Sequence, residues 1–159
     1  MLDLGCGPGH LTSWYARQSP RATITGCDRE PAFITMATSD ATRLGIENVT
    51  YVVADVTKDI PAGPFELVVS TQSIADADAE SVVAQYGGGD SPHDDPPGPD
   101  DRPRARALRM IAGALGPQGT YLAIEPLPTA DDMRRFVSEA TGAGLILSFL
   151  GFTPFDVFG

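Results

Sequence analysis

The sequence predicts an α/β fold, a mostly parallel, doubly wound sheet with helices on both faces. Three observations lead there. Strand and helix signals alternate along the 159 residues, which is the pattern of a parallel sheet covered on each side. The first apolar run passes straight into Gly5-Cys6-Gly7-Pro8-Gly9, a strand-to-helix turn with side chains removed at alternate positions. The second and third strand-like runs each lead into an acid, Asp28 and Asp55.

The elements follow in order. Strands are expected near Met1 to Leu4, Ala22 to Cys27, Val49 to Ala54, Phe65 to Ser70, Thr120 to Glu125 and Leu145 to Leu150. The first helix begins at His10, after the glycine turn, and the second near Glu30 and Pro31, where proline suits the first helical turn. Phe33, Met36, Ala37, Ala41 and Leu44 recur at helical spacing, as do Leu108, Ile111, Ala112 and Leu115, and then Met133, Phe136, Val137 and Ala140. These stripes are expected to face the core. The stretch Gly87 to Arg104 holds three consecutive glycines, five prolines and paired aspartates, so it reads as a flexible insertion after the fourth strand. It is either a loop without function or a lid over an acceptor pocket.

Composition narrows the class. A chain of this length is expected to form one domain around one core. Hydrophobic residues make up 42%, no run approaches the ~20 apolar residues of a membrane span, and no basic-then-apolar leader precedes the turn. A soluble, cytoplasmic protein without a membrane partner is expected. Cys6 and Cys27 read as free thiols, and no His or Cys spacing resembles a metal site. Eight acids lie between Asp76 and Asp101, where there is no Lys or Arg, and setting them aside leaves the net charge of -10 near -2. No basic face for nucleic acid is evident, which favours a small-molecule partner.

The glycine turn marks a ligand site, because bare peptide there lets a ligand lie against the backbone. A dinucleotide fingerprint counted from Gly5 would need Gly or Ala at position 10, where His10 stands. A nucleotide-triphosphate loop would end in Gly-Lys-Ser or Gly-Lys-Thr, and the only lysine is the distant Lys58. Asp3 would repel a pyrophosphate and suit a ligand rich in cationic and hydrogen-bond-donating groups. S-adenosylmethionine is such a ligand, with its ammonium, sulfonium, ribose hydroxyls and adenine amino group. Asp3, Asp28 and Asp55 are expected along one edge of the sheet, at the strand ends. Asp28 follows Gly9 by 19 residues, close to the ~20 expected of an acid that binds ribose hydroxyls; it would serve equally well as a helix N-cap.

At these residues the sequence resembles the class I S-adenosylmethionine-dependent methyltransferases, whose first motif reads like Leu2 to Gly9. The likeness continues through Thr25-Gly26-Cys27-Asp28, Val52-Val53-Ala54-Asp55, Phe65 to Ser70 and Leu108 to Pro126. It implies a Rossmann-like sheet and S-adenosylmethionine as cofactor, held by Asp3, Gly5, Cys6, Gly7 and Gly9 of the turn. It further implies that Asp28, with Arg29 beside it, binds the ribose hydroxyls. Asp55 would accept from the adenine amino group, Val56 would pack near the ring, and the backbone at Ser70 would meet the ammonium. His10 is read as structural or as a contact near the methionine carboxylate. Family members acting on small molecules often carry a pair of histidines after the fourth strand, where this chain has Ile74-Ala75-Asp76.

The expected activity is methyl transfer to a small-molecule acceptor, with no catalytic base named. Two alternatives stay open at this point: a non-catalytic or regulatory S-adenosylmethionine-binding domain that needs a partner, and a nicotinamide-dependent oxidoreductase on a similar sheet. Family members carry helices before the first strand and a seventh strand at the end, so the chain reads as truncated at both ends. An apolar sheet face left bare would then be covered by a second copy or by a partner chain.

Overall fold

A computed structural model of the chain describes residues 1–74, 77, 102–125 and 130–145. Nine elements lie within them: β1 (Leu2–Leu4), α1 (His10–Gln18), β2 (Ile24–Asp28), α2 (Pro31–Arg43), β3 (Val49–Val53), β4 (Phe65–Thr71), α3 (Pro103–Ala114), β5 (Leu115–Ile124) and α4 (Ala130–Gly142). The strands form one five-stranded sheet in the order β3-β2-β1-β4-β5, and every pairing is parallel. The chain therefore runs outward from β1 to β3, then returns to the other side of β1 with β4. That reversal between β1 and β4 is the switch point beside which open α/β sheets bind ligands.

Alternation along the short strand β1 divides the two faces. Leu2 and Leu4 are fully buried and join Cys27, Val68, Ala107, Leu108, Ile111, Phe136 and Ala140 in one cluster, so α3 and α4 cover that face. Asp3, between the two leucines, points to the other face, where Thr12 of α1 donates to its Oδ2 at 2.6 Å. Tyr51 shares this second face, lying across Gly26 and Gly9 and close to Thr12. Its hydroxyl donates to the Gly9 carbonyl at 3.1 Å and lies 2.8 Å from Ser13 Oγ. The β3 tyrosine thus props the entry to α1 from below. Farther along the same face, Leu122 and Ile124 of β5 and Trp14 of α1 are exposed.

Several details differ from the sequence expectation. In α2 the expected Ala37 and Ala41 are buried, together with Ile34, whereas Phe33, Met36 and the C-cap Leu44 are 41%, 52% and 49% exposed. The helix is rotated so that a small residue, Ala37, meets Gly9 and Tyr51 at close quarters. Leu115 belongs to β5, not to the preceding helix, and β5 starts five residues before the expected Thr120, with a register shift opposite Phe65 and Leu67. The expected insertion ends too late: Arg102 is the N-cap of α3, and Pro103 and Arg104 are its first turn. Arg104 is buried there against Glu139 of α4, its Nε donating to Oε2 at 2.6 Å. The insertion from Gly87 to Asp101, the Ala75-Asp76 pair, Pro126 and the expected strand beyond Leu145 lie outside the described residues.

Candidate functional site

The glycine turn is built for two tasks. Gly5, Gly7 and Gly9 have φ of 67°, 53° and 79°, the left-handed region that side chains resist. A Cβ on Gly9 would lie 2.7 Å from both the Ala37 Cβ and the Tyr51 hydroxyl, and one on Gly5 would lie 2.4 Å from the Ser73 Cβ. These two glycines serve packing. A Cβ on Gly7 would meet nothing within 4 Å, so the peptide there faces open space. Gly9 also precedes α1 without any side-chain cap, leaving the amide-rich, positive helix end to a ligand or solvent.

A cleft of about 390 Å³ opens beside the turn, at the carboxyl ends of the strands. Gly5 closes one wall, Asp28, Arg29, Glu30 and Phe33 come from the end of β2 and the start of α2, and Ala54 to Thr57 follow β3. Gln72, Ser73 and Ala77 follow β4. Its size falls within the range of small-ligand pockets.

Asp28 ties these parts together. Its Oδ2 accepts from Gly7 N at 2.9 Å and its Oδ1 from Glu30 N at 2.9 Å, so one carboxylate spans the glycine turn and the entry to α2. Each oxygen keeps acceptor capacity for a further donor. The N-cap of α2 is Glu30, whose side chain accepts from Ala32 N. Asp55 is engaged differently: Oδ1 accepts from Thr57 N and Thr57 Oγ1, and Oδ2 pairs with Lys58 Nζ at 2.8 Å. Partial burial pushes its carboxyl up, but the hydrogen bonds from Lys58 and Thr57, with the Lys58 charge, outweigh this and hold it at about 2.

The remaining residues expected at the site lie behind or beside the cleft. Asp3 is the middle residue of β1, not its end, and is almost fully buried under the turn, where burial raises its pKa against the opposing Thr12 bond. The three acids are therefore not ranged along one edge: Asp28 and Asp55 line the cleft and Asp3 supports it from below. Cys6 binds Cys27 O through its amide at 2.9 Å. Burial, with Asp3, Cys27 and Asp28 nearby, pushes its thiol to about 12, and burial does the same for Cys27, so both stay protonated thiols. Ser70 is fully buried within β4, and the strand continues through Thr71. The residues that line the cleft on this side are Gln72 and Ser73, directly after the strand, and Ala77. The place of Gln72 and Ser73 directly beyond the fourth strand, at the switch point, was the available signal.

The cleft suits S-adenosylmethionine. Two carboxylate oxygens with spare lone pairs match a pair of hydroxyl donors, and Phe33 and Val56 offer apolar surface for a ring. Of the turn, Gly5 lines the cleft and Gly7 does not; Gly7 is joined to it through Asp28 and has open space at its Cα. The family model described as a methyltransferase domain matches residues 1–86, a span that includes β1 to β4. The chain belongs to the class I methyltransferase family. Members of that family use S-adenosylmethionine as their cofactor.

This methyltransferase domain is similar to the trans-aconitate 2-methyltransferases of Streptomyces avermitilis, at 36% identity over 75 residues, and of Escherichia coli, at 35% over 74 residues. Each alignment covers 46% of this chain and 28% or 27% of the relative, so the chain spans under a third of the length of these curated relatives. Among solved structures it is similar to the 4+2 cyclase SpnF, with a TM-score of 0.63 at 19% identity, covering 89% of this chain and 50% of that one. Coclaurine N-methyltransferase bound to N-methylheliamine and SAH aligns at a TM-score of 0.57 and 18% identity, over 77% of this chain and 29% of the other. These likenesses show a Rossmann-like, doubly wound fold. A cyclase among them is a reminder that this sheet does not by itself dictate a reaction. Among the described residues no group of His, Cys, Asp and Glu could hold a metal ion, and no helix is long and apolar enough to cross a membrane.

Proposed function

We propose that this methyltransferase domain binds S-adenosylmethionine in the cleft and transfers its methyl group to a small-molecule acceptor. The observation that carries the reading is Asp28, whose two oxygens hold Gly7 and Glu30 while retaining acceptor sites at the cleft. In this reading Asp28 binds the ribose hydroxyls and Arg29 flanks it. Gly7, with Gly5, Cys6 and Gly9 shaping the turn around it, gives the nucleoside access to bare peptide, and the uncapped start of α1 favours a carboxylate nearby. Val56 and Phe33 bracket the adenine. Asp55 contributes the oxygen that it shares with Lys58, so the lysine must yield part of its hold for an adenine amino group to bind. Asp3 and Ser70 act from beneath, through Thr12 and through β5.

The bound donor supplies a methyl carbon already activated by positive sulfur. The chain's part is orientation, holding donor and acceptor in line so that displacement needs no collision from solution. No acid or base is required for an amine acceptor. The curated relatives make trans-aconitate the first acceptor to test. Against this, the net charge of -10 works against steering an anion to the site, so amines and neutral hydroxyl compounds belong in the same panel.

The test is transfer of labelled methyl from S-adenosylmethionine to that panel, beside calorimetric binding of S-adenosylhomocysteine. Labelled product from one acceptor class supports the reading. Tight binding without transfer to any acceptor would point to a cofactor-binding domain that lacks turnover. Binding of NAD in place of S-adenosylhomocysteine would refute the reading altogether.

A further inference from the structure

Glu125, the residue just after β5, gathers donors from β4 and from the turn that follows it. Its Oε1 accepts from Ser70 Oγ at 2.5 Å and from Ile74 N at 3.2 Å, and its Oε2 accepts from Ser73 N at 3.0 Å. Between these contacts stands Gln72 with φ 54°, a left-handed conformation that a residue with a side chain keeps only when its surroundings impose it. The Gln72 amide is fixed to Ile124 O at 3.0 Å. Ser73 carries the constraint onward: its Oγ donates to Leu4 O at 3.0 Å, and its Cβ is pressed against Gly5. Gln72, Ser73 and Gly5 all line the cleft; Glu125 does not.

We propose that Glu125 is a positioning residue for cofactor binding, fixing the Gln72–Ser73 wall and, through Ser73, the start of the glycine turn. The proposal rests on the reading of the cleft as the S-adenosylmethionine site. A carboxylate suits the task because both oxygens accept, and such charge-assisted bonds to amides are strong. Glutamine of the same shape offers one acceptor and sets an NH2 against a donor, so Glu125→Gln removes part of the hold without changing volume.

The experiment titrates S-adenosylhomocysteine into the wild type, Glu125→Gln and Glu125→Ala by calorimetry and follows amide exchange in the ligand-free proteins. Expected are about tenfold weaker binding for Glu125→Gln and a larger loss for Glu125→Ala. Faster exchange should be confined to Ser73 and Ile74, with α1 and β2 unchanged. If Glu125→Ala does not fold, Glu125→Gln carries the test. Wild-type affinity in the variants, or an exchange increase spread evenly over the sheet, overturns the proposal. A wild type that does not bind S-adenosylhomocysteine refutes the site reading itself, a result that the variants' affinities cannot mimic.

Discussion

Replacing Gly7 and Gly9 one at a time by alanine separates ligand contact from packing within a single turn. At Gly7 the added Cβ meets no neighbour within 4 Å, and the only penalty to the ligand-free protein is the φ of 53°. That strain is worth about 1 kcal/mol, or roughly 2–4 °C in melting temperature for a chain of this size. At Gly9 the same methyl lands 2.7 Å from Ala37 and Tyr51, on top of a φ of 79°. Overpacking of this kind adds about 1–3 kcal/mol, so Gly9→Ala should lose markedly more stability. Affinity for S-adenosylhomocysteine should fall about 5- to 150-fold in Gly7→Ala if, as proposed, the ligand lies against the Gly7 peptide and the methyl takes its space. Thermal unfolding and calorimetric titration of the two proteins measure both effects. Gly7→Ala with wild-type affinity, or with the larger stability loss of the pair, would refute the assignment of Gly7 to the ligand.

Other expectations concern the acids and the tyrosine. Asp55→Asn should destabilise the protein by about 1 kcal/mol at neutral pH, a figure reduced for the exposure of its lysine partner. Because the folded carboxyl is held at about 2, below its unfolded value, its contribution is present above about pH 4 and is lost as pH falls toward 2. Urea unfolding across that window should be flatter for the variant. Asp3 behaves in the opposite sense: burial raises its folded pKa, so the ionised group weakens the ligand-free fold once pH rises above its unfolded value. Asp3→Asn, whose amide oxygen can still accept from Thr12, should therefore raise the neutral-pH melting temperature. An unchanged or lower value would contradict the burial argument. Tyr51→Phe removes the hydroxyl held between Gly9 O and Ser13 and should cost about 1 kcal/mol in chemical denaturation.

The sequence was most legible where one residue type has one physical use. Glycines at three alternate positions after an apolar run had to be a left-handed turn, and all three have positive φ. The apolar runs of the first four strands fall within two residues of the observed strands at each end. Packing choices were harder to read. Of the stripe expected along α2, Ala37 and Ala41 are buried but the large side chains Phe33, Met36 and Leu44 are exposed, because the close approach to Gly9 and Tyr51 admits only a small residue such as Ala37. Hydrophobicity alone could not report that distance. Asp3 shows the same gap: its spacing marked an acid at the site, but only the alternation of β1 against α1 sends it beneath the turn. Glu125 offered no local signal. It reaches Ser70 across 55 residues of sequence and does so only because β4 and β5 pair in parallel.

Asp28 holds the glycine turn and the entry to α2, and the proposed function requires that the same carboxylate hold the nucleoside. Calorimetric titration of S-adenosylhomocysteine into the wild type and Asp28→Ala tests it most directly. Expected are one binding site per chain in the wild type and an affinity lower by about 1–3 kcal/mol in the variant. Equal dissociation constants in the two proteins, or no heat with the wild type, would contradict it.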